Sequence, residues 1–210
     1  MKLFLVRHGQ TDWNLAQRFQ GQSGIPLNET GRQQAVALAD RLAGERFDVI
    51  YSSDLQRAHE TANIIAKGKI EVKTDARLRE VDFGDWQGLT YNAIKETHPD
   101  ALTAWENNAY RNAPPNGETL GELTARVQSM LNDLLENCKG KNVLLVAHGG
   151  MLQSLVCLAL NLPSTMYWQF QISMASVSQI AFYPAGAIVN LLNDTSHLSP
   201  LPLGHIVRER

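Results

Sequence analysis

The sequence has few cysteines, no long apolar segment and little net charge. Cys138 and Cys157 are the only cysteines among 210 residues, too few and too far apart for a disulfide framework or a metal-binding cysteine pair. No apolar run approaches the length needed to cross a membrane, and residues 1–7 are too short for a signal peptide. We therefore expect a cytoplasmic protein in a reducing compartment, not one bound to a membrane.

The charge and composition are those of an ordinary globular protein. The net charge is −2, and 44% of the residues are apolar. This balance gives no general attraction to nucleic acid or to an anionic membrane surface, so any affinity for anions must be local. We predict one domain over residues 1–210, with residues 195–210 as an extended tail. The oligomeric state stays open, a homodimer being one alternative.

Strand and helix patterns alternate along the chain. Strand patterns occupy residues 3–6, 48–51, 70–73, 142–147, 176–183 and 187–192, with amphipathic helical patterns between most of them. The run at 142–147 is the most continuously apolar, which is typical of a central parallel strand. The pattern predicts an α/β, three-layer sandwich whose mainly parallel central sheet is flanked by helices.

Charged residues follow three of the predicted strands. Ligands of such sheets bind beyond the carboxyl ends of the strands, so residues at these positions are expected to converge. In chain order they are Arg7, His8 and Gly9 after the first strand, Arg57 one helical turn after the second, and His148, Gly149 and Gly150 after the central strand.

These residue types suit a phosphate ester. The arginine fork makes paired, charge-assisted bonds to phosphoryl oxygens, a role that fits Arg7 and Arg57. Gly9 and Gly149 have no side chain, so their backbone N–H groups are expected to approach an anion closely. Gly149 and Gly150 also stand at a predicted helix start, which favours anions.

A nucleophile and an acid are needed for the ester bond to break. A neutral His8 can attack phosphorus and carry it as phosphohistidine, while His148 donates to the phosphoryl oxygens. The leaving oxygen needs a proton from a carboxylic acid at the mouth of the site, for which Glu80 is the candidate. Three nearby carboxylates compete for this role: Asp75, Asp82 and Asp85.

The segment 5–14, LVRHGQTDWN, resembles the signature of the histidine phosphatase superfamily, in its cofactor-dependent phosphoglycerate mutase branch. Four further segments match in order, at 26–31, 52–58, 78–80 and 147–150. The resemblance implies a phosphoglycerate mutase-like fold and no metal or other cofactor. It also implies site roles: His8 as nucleophile, Arg7, Arg57 and His148 in the phosphate pocket, Glu80 as acid and base, and Asn14, Gln20 and Gly21 lining the pocket.

Two positions depart from the family pattern. Gly24 and Gln87 stand where many members have acidic residues. We expect these two positions to affect how the residues around the site are held in place, not the reaction itself.

The sequence favours hydrolysis of a small phosphorylated metabolite over phosphoryl transfer. Residues 84–118 contain few cations, Lys95 and Arg111, whereas the mutases of the family carry longer inserts with extra basic residues. Segments 83–88 and 114–118 are similar to the α-ribazole phosphatase and broad-specificity phosphatase subgroups. Mutase-type transfer is the first alternative, and a non-catalytic phospho-ligand binder on the same fold is the second.

An aromatic group in the same stretch has two interpretations. Its members either form an apolar wall of the substrate pocket or belong to the core. They are Trp86, Tyr91, Trp105 and Tyr110.

Overall fold

The computed structural model describes residues 1–198, and most of the predicted tail, residues 199–210, lies outside this range. Within the described part, Ser196–Leu198 form one 3₁₀ turn, in which Leu198 is buried. The prediction of an extended tail from residue 195 is therefore wrong for these three residues. Leu198 packs with Leu38 and Ala39 in one apolar cluster, and burying it draws the chain into a turn.

Strands and helices alternate as the sequence pattern predicts. The strands are β1 Lys2–Arg7, β2 Val49–Ser52, β3 Val72–Thr74, β4 Asn142–Ala147, β5 Val177–Tyr183 and β6 Gly186–Asp194. The α-helices are α1 Asp12–Leu15, α2 Glu29–Arg41, α3 Gln56–Ala66, α4 Tyr91–Thr97, α5 Pro99–Asn108, α6 Leu120–Asn137 and α7 Gly149–Ala159. No helix within residues 1–198 is both long and apolar enough to cross a membrane.

The six strands form one sheet in the order β3-β2-β4-β1-β5-β6. Strands β3, β2, β4 and β1 run parallel, while β5 and β6 form an antiparallel hairpin at the edge beside β1. The predicted mainly parallel sheet is confirmed, with β4 in its interior. The carboxyl ends of β1, β2 and β4 therefore share one edge.

Alternate residues of the central strands face two separate cores. Leu3 and Leu5 of β1 pack with the apolar faces of α6 and α7. Phe4 and Val6 face the opposite way, onto α2 and α3. Because successive strand side chains point to opposite faces, this division produces the three layers of the predicted sandwich.

The aromatic group from residues 84–118 divides between core and surface. Trp86 and Trp105 are buried with Ile94 and Leu102 in a small separate core beneath α4 and α5. Tyr91 and Tyr110 are about half exposed. The core interpretation therefore holds for the two tryptophans.

One close backbone contact fixes the loop after β1 against α2. A Cβ at Gly9 would lie 2.3 Å from the Gly31 carbonyl oxygen, and a Cβ at Gly31 would lie 2.1 Å from the Gln10 carbonyl oxygen. No side chain fits in this space. The two glycines therefore allow helix α2 to pack directly on the loop that follows β1.

We predict that Gly31→Ala lowers the free energy of unfolding by about 2 kcal/mol, because the added methyl meets rigid backbone. Gly44→Ala is the control, since a Cβ there meets nothing within 4 Å, and its effect is expected to stay within about 0.5 kcal/mol. Urea denaturation measures both. Helix propensity alone would make Gly31→Ala stabilising, so a more stable Gly31→Ala protein contradicts the packing account.

Candidate active site

The register of β1 against β4 places two histidines side by side. Arg7 pairs with Ala147, so His8 and His148 occupy equivalent positions just beyond the two strands. The His8 N–H donates to the Ala147 carbonyl at 3.0 Å. The two imidazole centroids lie 5.1 Å apart, and the residues are 2% and 0% exposed.

The hydrogen bonds of His8 define its tautomer. Its Nδ1 lies 2.7 Å from the Gly9 carbonyl oxygen, which can only accept, so Nδ1 carries the proton. Its Nε2 accepts a bond from Nε of Arg57 at 3.3 Å. Nε2 is therefore the unprotonated ring nitrogen, and its lone pair, to which Arg57 donates here, is the one that a nucleophile would use.

Arg57 comes from the first turn of α3 and is 1% exposed. Its Nη1 donates to the Ser23 carbonyl at 2.8 Å, and its Nη2 donates to the Gly21 carbonyl at 2.6 Å. The guanidinium thus connects the loop at residues 21–23 to the His8 ring. Because these contacts fix its plane, its remaining N–H groups have a defined direction.

Gln87 supports the same loop. Its Oε1 accepts from the Gln22 N–H at 2.5 Å, and a Cβ at Gly21 would lie 2.2 Å from that oxygen. Gly21 also has φ of +51°, which favours glycine. Of the two departures from the family pattern, Gln87 therefore contacts the site loop, whereas a side chain at Gly24 would have open space.

Asn14 and Gln20 are joined through Thr11. The Asn14 Oδ1 accepts from the Thr11 N–H at 3.0 Å, and the Gln20 Oε1 lies 2.9 Å from the Thr11 Oγ1. Thr11 is fully buried and starts α1. Asn14 and Gln20, which the resemblance implies as pocket lining, thus belong to one hydrogen-bonded loop that follows His8 in the chain.

Arg7 lies over the start of α7. A Cβ at Gly149 would be 3.3 Å from the Arg7 Cζ, a tight contact that glycine avoids. The Arg7 Nη1 donates to the Ile172 carbonyl at 2.7 Å. Within residues 1–198 the Gly149 N–H has no acceptor, so this donor, which lies beside the Arg7 guanidinium, is open to an anion.

The Glu80 carboxylate occupies the next N–H groups of the same helix. Its Oε2 accepts from the Gly150 N–H at 3.0 Å, and its Oε1 accepts from the Met151 and Val81 N–H groups at 3.1 and 3.0 Å. Part of the helix start that was expected to bind a ligand anion is therefore used by a protein carboxylate. A Cβ at Gly150 would meet both the Glu80 Oε1 and the Tyr167 Oη.

The competing carboxylates are engaged elsewhere. Asp75 pairs with Arg77, with 2.7 Å between the charged atoms. Asp82 accepts from the Gly84 N–H, and Asp85 accepts from the side chain of Asn116. Of these four carboxylates, it is Glu80 that bonds to the start of α7, directly after His148.

The role expected for the Gly9 backbone does not hold in this arrangement. Its N–H donates to the Thr61 Oγ1 at 3.3 Å, and its missing side chain admits Gly31 rather than an anion. The sequence could not separate these two uses of glycine, since both require close approach of another group.

Burial and positive charge keep both histidines neutral. The pKa of His8 lies well below its ordinary value because burial disfavours the imidazolium and because Arg57 and Arg7 repel it. The pKa of His148 is lowered by burial and by Arg57, His8 and Arg7. Burial lowers the pKa of Arg57 to about 10. The site is thus a buried region of positive potential.

His148 has no hydrogen-bond partner within residues 1–198, on either ring nitrogen. Buried polar groups are nearly always satisfied, so this unpartnered ring can donate to a ligand atom. In the same part of the chain, no group of three or more His, Cys, Asp or Glu side chains is arranged to hold a metal ion.

Several supporting residues were not singled out from the sequence. Arg126 of α6 donates to the carbonyls of Arg77, Arg79 and Glu80, fixing the segment that carries the carboxylate. Its position, three residues after the buried Leu123, is a signal that could have found it. The Ile172 carbonyl offers no such signal, because any residue type supplies a carbonyl.

Comparisons with known proteins find similar sequences and structures over most of this chain. Residues 3–195 match the family model described as the histidine phosphatase superfamily (branch 1). Phosphoglycerate mutase-like protein 4 of Arabidopsis thaliana is 42% identical over 73% of this chain and 69% of its own length. Glucosyl-3-phosphoglycerate phosphatase of Mycobacterium tuberculosis is 40% identical over 77% of this chain and 76% of its own. The crystal structure of the α-ribazole phosphatase of Shigella flexneri has a TM-score of 0.88 at 29% identity, covering 92% of this chain and 96% of its own.

The two neutral histidines predict a pH-dependent loss of stability. Unfolded histidine takes up a proton near pH 6.5, whereas the folded His8 and His148 stay neutral, so stability is unaffected above pH 6.5 and falls below it. Each contributes a loss of up to about 1.4 kcal/mol per pH unit. Urea denaturation between pH 7.0 and 5.5 measures the free energy of unfolding. This free energy should fall less steeply with decreasing pH in His148→Gln than in wild type, because the contribution of one histidine is gone. Equal slopes in the two proteins would show that His148 protonates in the folded state.

Proposed function

This chain belongs to the histidine phosphatase superfamily, and we propose that it is a phosphomonoesterase in which Nε2 of His8 attacks the phosphorus of a small phosphate ester. The observation that carries this proposal is the unprotonated Nε2 of a buried, neutral His8, which faces the Arg57 guanidinium while the ring lies beside that of His148. A neutral imidazole among fixed cations is the state in which histidine is nucleophilic toward a bound phosphate dianion.

In the first step, the bond between Nε2 and phosphorus forms as the ester P–O bond breaks. Glu80, protonated, gives its proton to the leaving oxygen, so the products are an alcohol, phosphohistidine and the Glu80 carboxylate. The proton stays on Nδ1, and the Gly9 carbonyl oxygen that accepts from it stabilises the positive charge that develops on the ring.

In the second step, the Glu80 carboxylate takes a proton from water while the water oxygen attacks phosphorus. The bond between phosphorus and Nε2 breaks, giving inorganic phosphate, neutral His8 and protonated Glu80. The Val81, Gly150 and Met151 N–H groups donate to the Glu80 carboxyl oxygens and hold this side chain in place.

The surrounding donors stabilise the transferring phosphoryl group. Catalysis of phosphoryl transfer depends mainly on positioning and on charge stabilisation. We assign this role to the Arg7 and Arg57 guanidinium groups, the Gly149 N–H and the orphaned His148 ring. Asn14, Gln20 and Gly21 are proposed to line the approach. The mechanism uses no metal ion and no other cofactor.

Hydrolysis is favoured over mutase-type transfer. The scarcity of cations in residues 84–118 supports a substrate without a second strongly acidic group, and the mycobacterial relative is named for hydrolysing a phosphate ester. The mutase-like name of the plant relative keeps transfer as the second candidate. Isomerisation of 3-phosphoglycerate that requires bisphosphoglycerate and releases no phosphate would establish it.

We predict that His8→Ala lowers hydrolysis of an aryl phosphate by about 10³-fold or more, because no group replaces the nucleophile. The assay is run in excess chelator. His59→Ala is the matched control: His59 lies two residues beyond Arg57 on α3 and outside the proposed site, so activity should be unchanged. An inactive wild type, or activity that chelator removes, would contradict the mechanism.

We predict that Glu80→Gln slows hydrolysis by an amount that depends on the leaving group of the ester. In kcat/KM, which reports the first step, we expect a loss below about tenfold for nitrophenyl phosphate and of about 10²- to 10⁴-fold for an alkyl phosphate, whose leaving oxygen needs the proton. The slope of log kcat/KM against leaving-group basicity measures this. A loss that is the same for both esters would refute the general-acid role.

A further inference from the structure

A short segment before β5 contacts residues 7–9, the nucleophile turn, through the backbone and the Arg7 side chain. The segment is residues 172–176, which we name the bracing segment. Its Ile172 carbonyl accepts from the Arg7 Nη1 at 2.7 Å. Its Ala175 N–H lies 3.1 Å from the carbonyl oxygens of both Arg7 and His8. The guanidinium of Arg7 is thus oriented by backbone that is remote from it in sequence.

The backbone of the bracing segment is itself strained. Ala175 is fully buried and has φ of +52°, a left-handed conformation that alanine adopts only at a cost. Such a conformation persists only when neighbouring groups hold it. The N–H of Ala175 is held by the nucleophile turn, and its carbonyl accepts from the Nε2 of His197 at 3.0 Å.

A second side chain holds the other end of the bracing segment. The Oδ1 of Asn193 accepts from the Ser173 N–H at 2.6 Å, and its Nδ2 donates to the Ser173 Oγ at 3.2 Å. Asn193 has φ of +55°, which asparagine tolerates, and its own N–H donates to the Ser178 Oγ at 2.9 Å. Its amide is therefore aimed from the end of β6 onto the bracing segment.

We propose that Asn193 and His197 are positioning residues of the phosphate site, acting through the bracing segment on Arg7. Neither side chain touches the histidines or the proposed phosphate position. Both fix the backbone whose Ile172 carbonyl orients the Arg7 guanidinium over Gly149. This inference rests on the proposed function, because it assigns Arg7 to the phosphate.

The test measures binding of inorganic phosphate by calorimetry, below the melting temperature of every variant. Asn193→Gly retains the left-handed backbone and removes only the side chain. We expect it to weaken phosphate binding about five- to tenfold, the effect of losing a typical hydrogen bond on the orientation of a binding group. Asn190→Ala is the matched control, because Asn190 lies on the same strand and, within residues 1–198, its side chain bonds only to Gln179. It should bind phosphate as wild type does.

The His197 contact is tested by loss and rescue. His197→Ala should weaken phosphate binding about as much as Asn193→Gly, while His197→Gln should restore most of it, since a glutamine Nε2 can also donate to the Ala175 carbonyl. A general loss of stability would not be repaired by glutamine in this pattern. Wild-type affinity in both Asn193→Gly and His197→Ala would overturn the proposal.

A double-mutant cycle with Arg7→Gln shows whether the effect passes through Arg7. In the Arg7→Gln background, adding Asn193→Gly should change phosphate affinity less than about twofold, because the group it positions is gone. The same five- to tenfold loss in both backgrounds would contradict positioning through Arg7. A wild type that binds phosphate without hydrolysing esters would refute the proposed function alone, whereas a wild type that does not bind phosphate would refute both.

Discussion

Two arginines and two histidines share a buried site, and the repulsion among these groups is the constraint on which the remaining structure depends. Burial and mutual repulsion lower the pKa of both imidazoles, and burial lowers that of Arg57 to about 10. The fold thus keeps the histidines neutral and leaves the ring of His148 without a partner within residues 1–198. A phosphate dianion would supply the missing negative charge and the missing acceptor atoms. In this interpretation, affinity and nucleophilicity have the same electrostatic origin.

Rigid backbone contacts hold this arrangement in place against its own repulsion. The parallel register of β1 and β4 sets the distance between the two imidazoles. Backbone carbonyls of Ile172, Ser23 and Gly21 accept from Arg7 and Arg57, so each guanidinium is oriented by backbone. The Gly9 and Gly31 contact then fixes the nucleophile turn on α2. Each of these contacts fixes the positions of the site residues and leaves their positive potential directed at a ligand.

The sequence predicted the parts of this site that depend on residue type and strand order. Histidine and arginine at the ends of three apolar runs converge because parallel strands end at one edge. Contacts made through backbone could not be predicted, since the Ile172 carbonyl carries no signature of its residue. The role of Gly9 was misassigned for a related reason: absence of a side chain does not reveal which group approaches. The turn at Ser196–Leu198 depends on burial of Leu198, a tertiary contact that the local pattern does not encode.

The central claim is that His8 carries the phosphoryl group between the two steps. The most direct measurement mixes the enzyme with excess aryl phosphate, quenches it with alkali within milliseconds, and locates the phosphoryl group by mass spectrometry of proteolytic peptides. The account predicts an acid-labile phosphoryl group within residues 8–18, a segment in which His8 is the sole histidine. A phosphoryl group on another residue, or sustained turnover with none on His8 at any time, would contradict it.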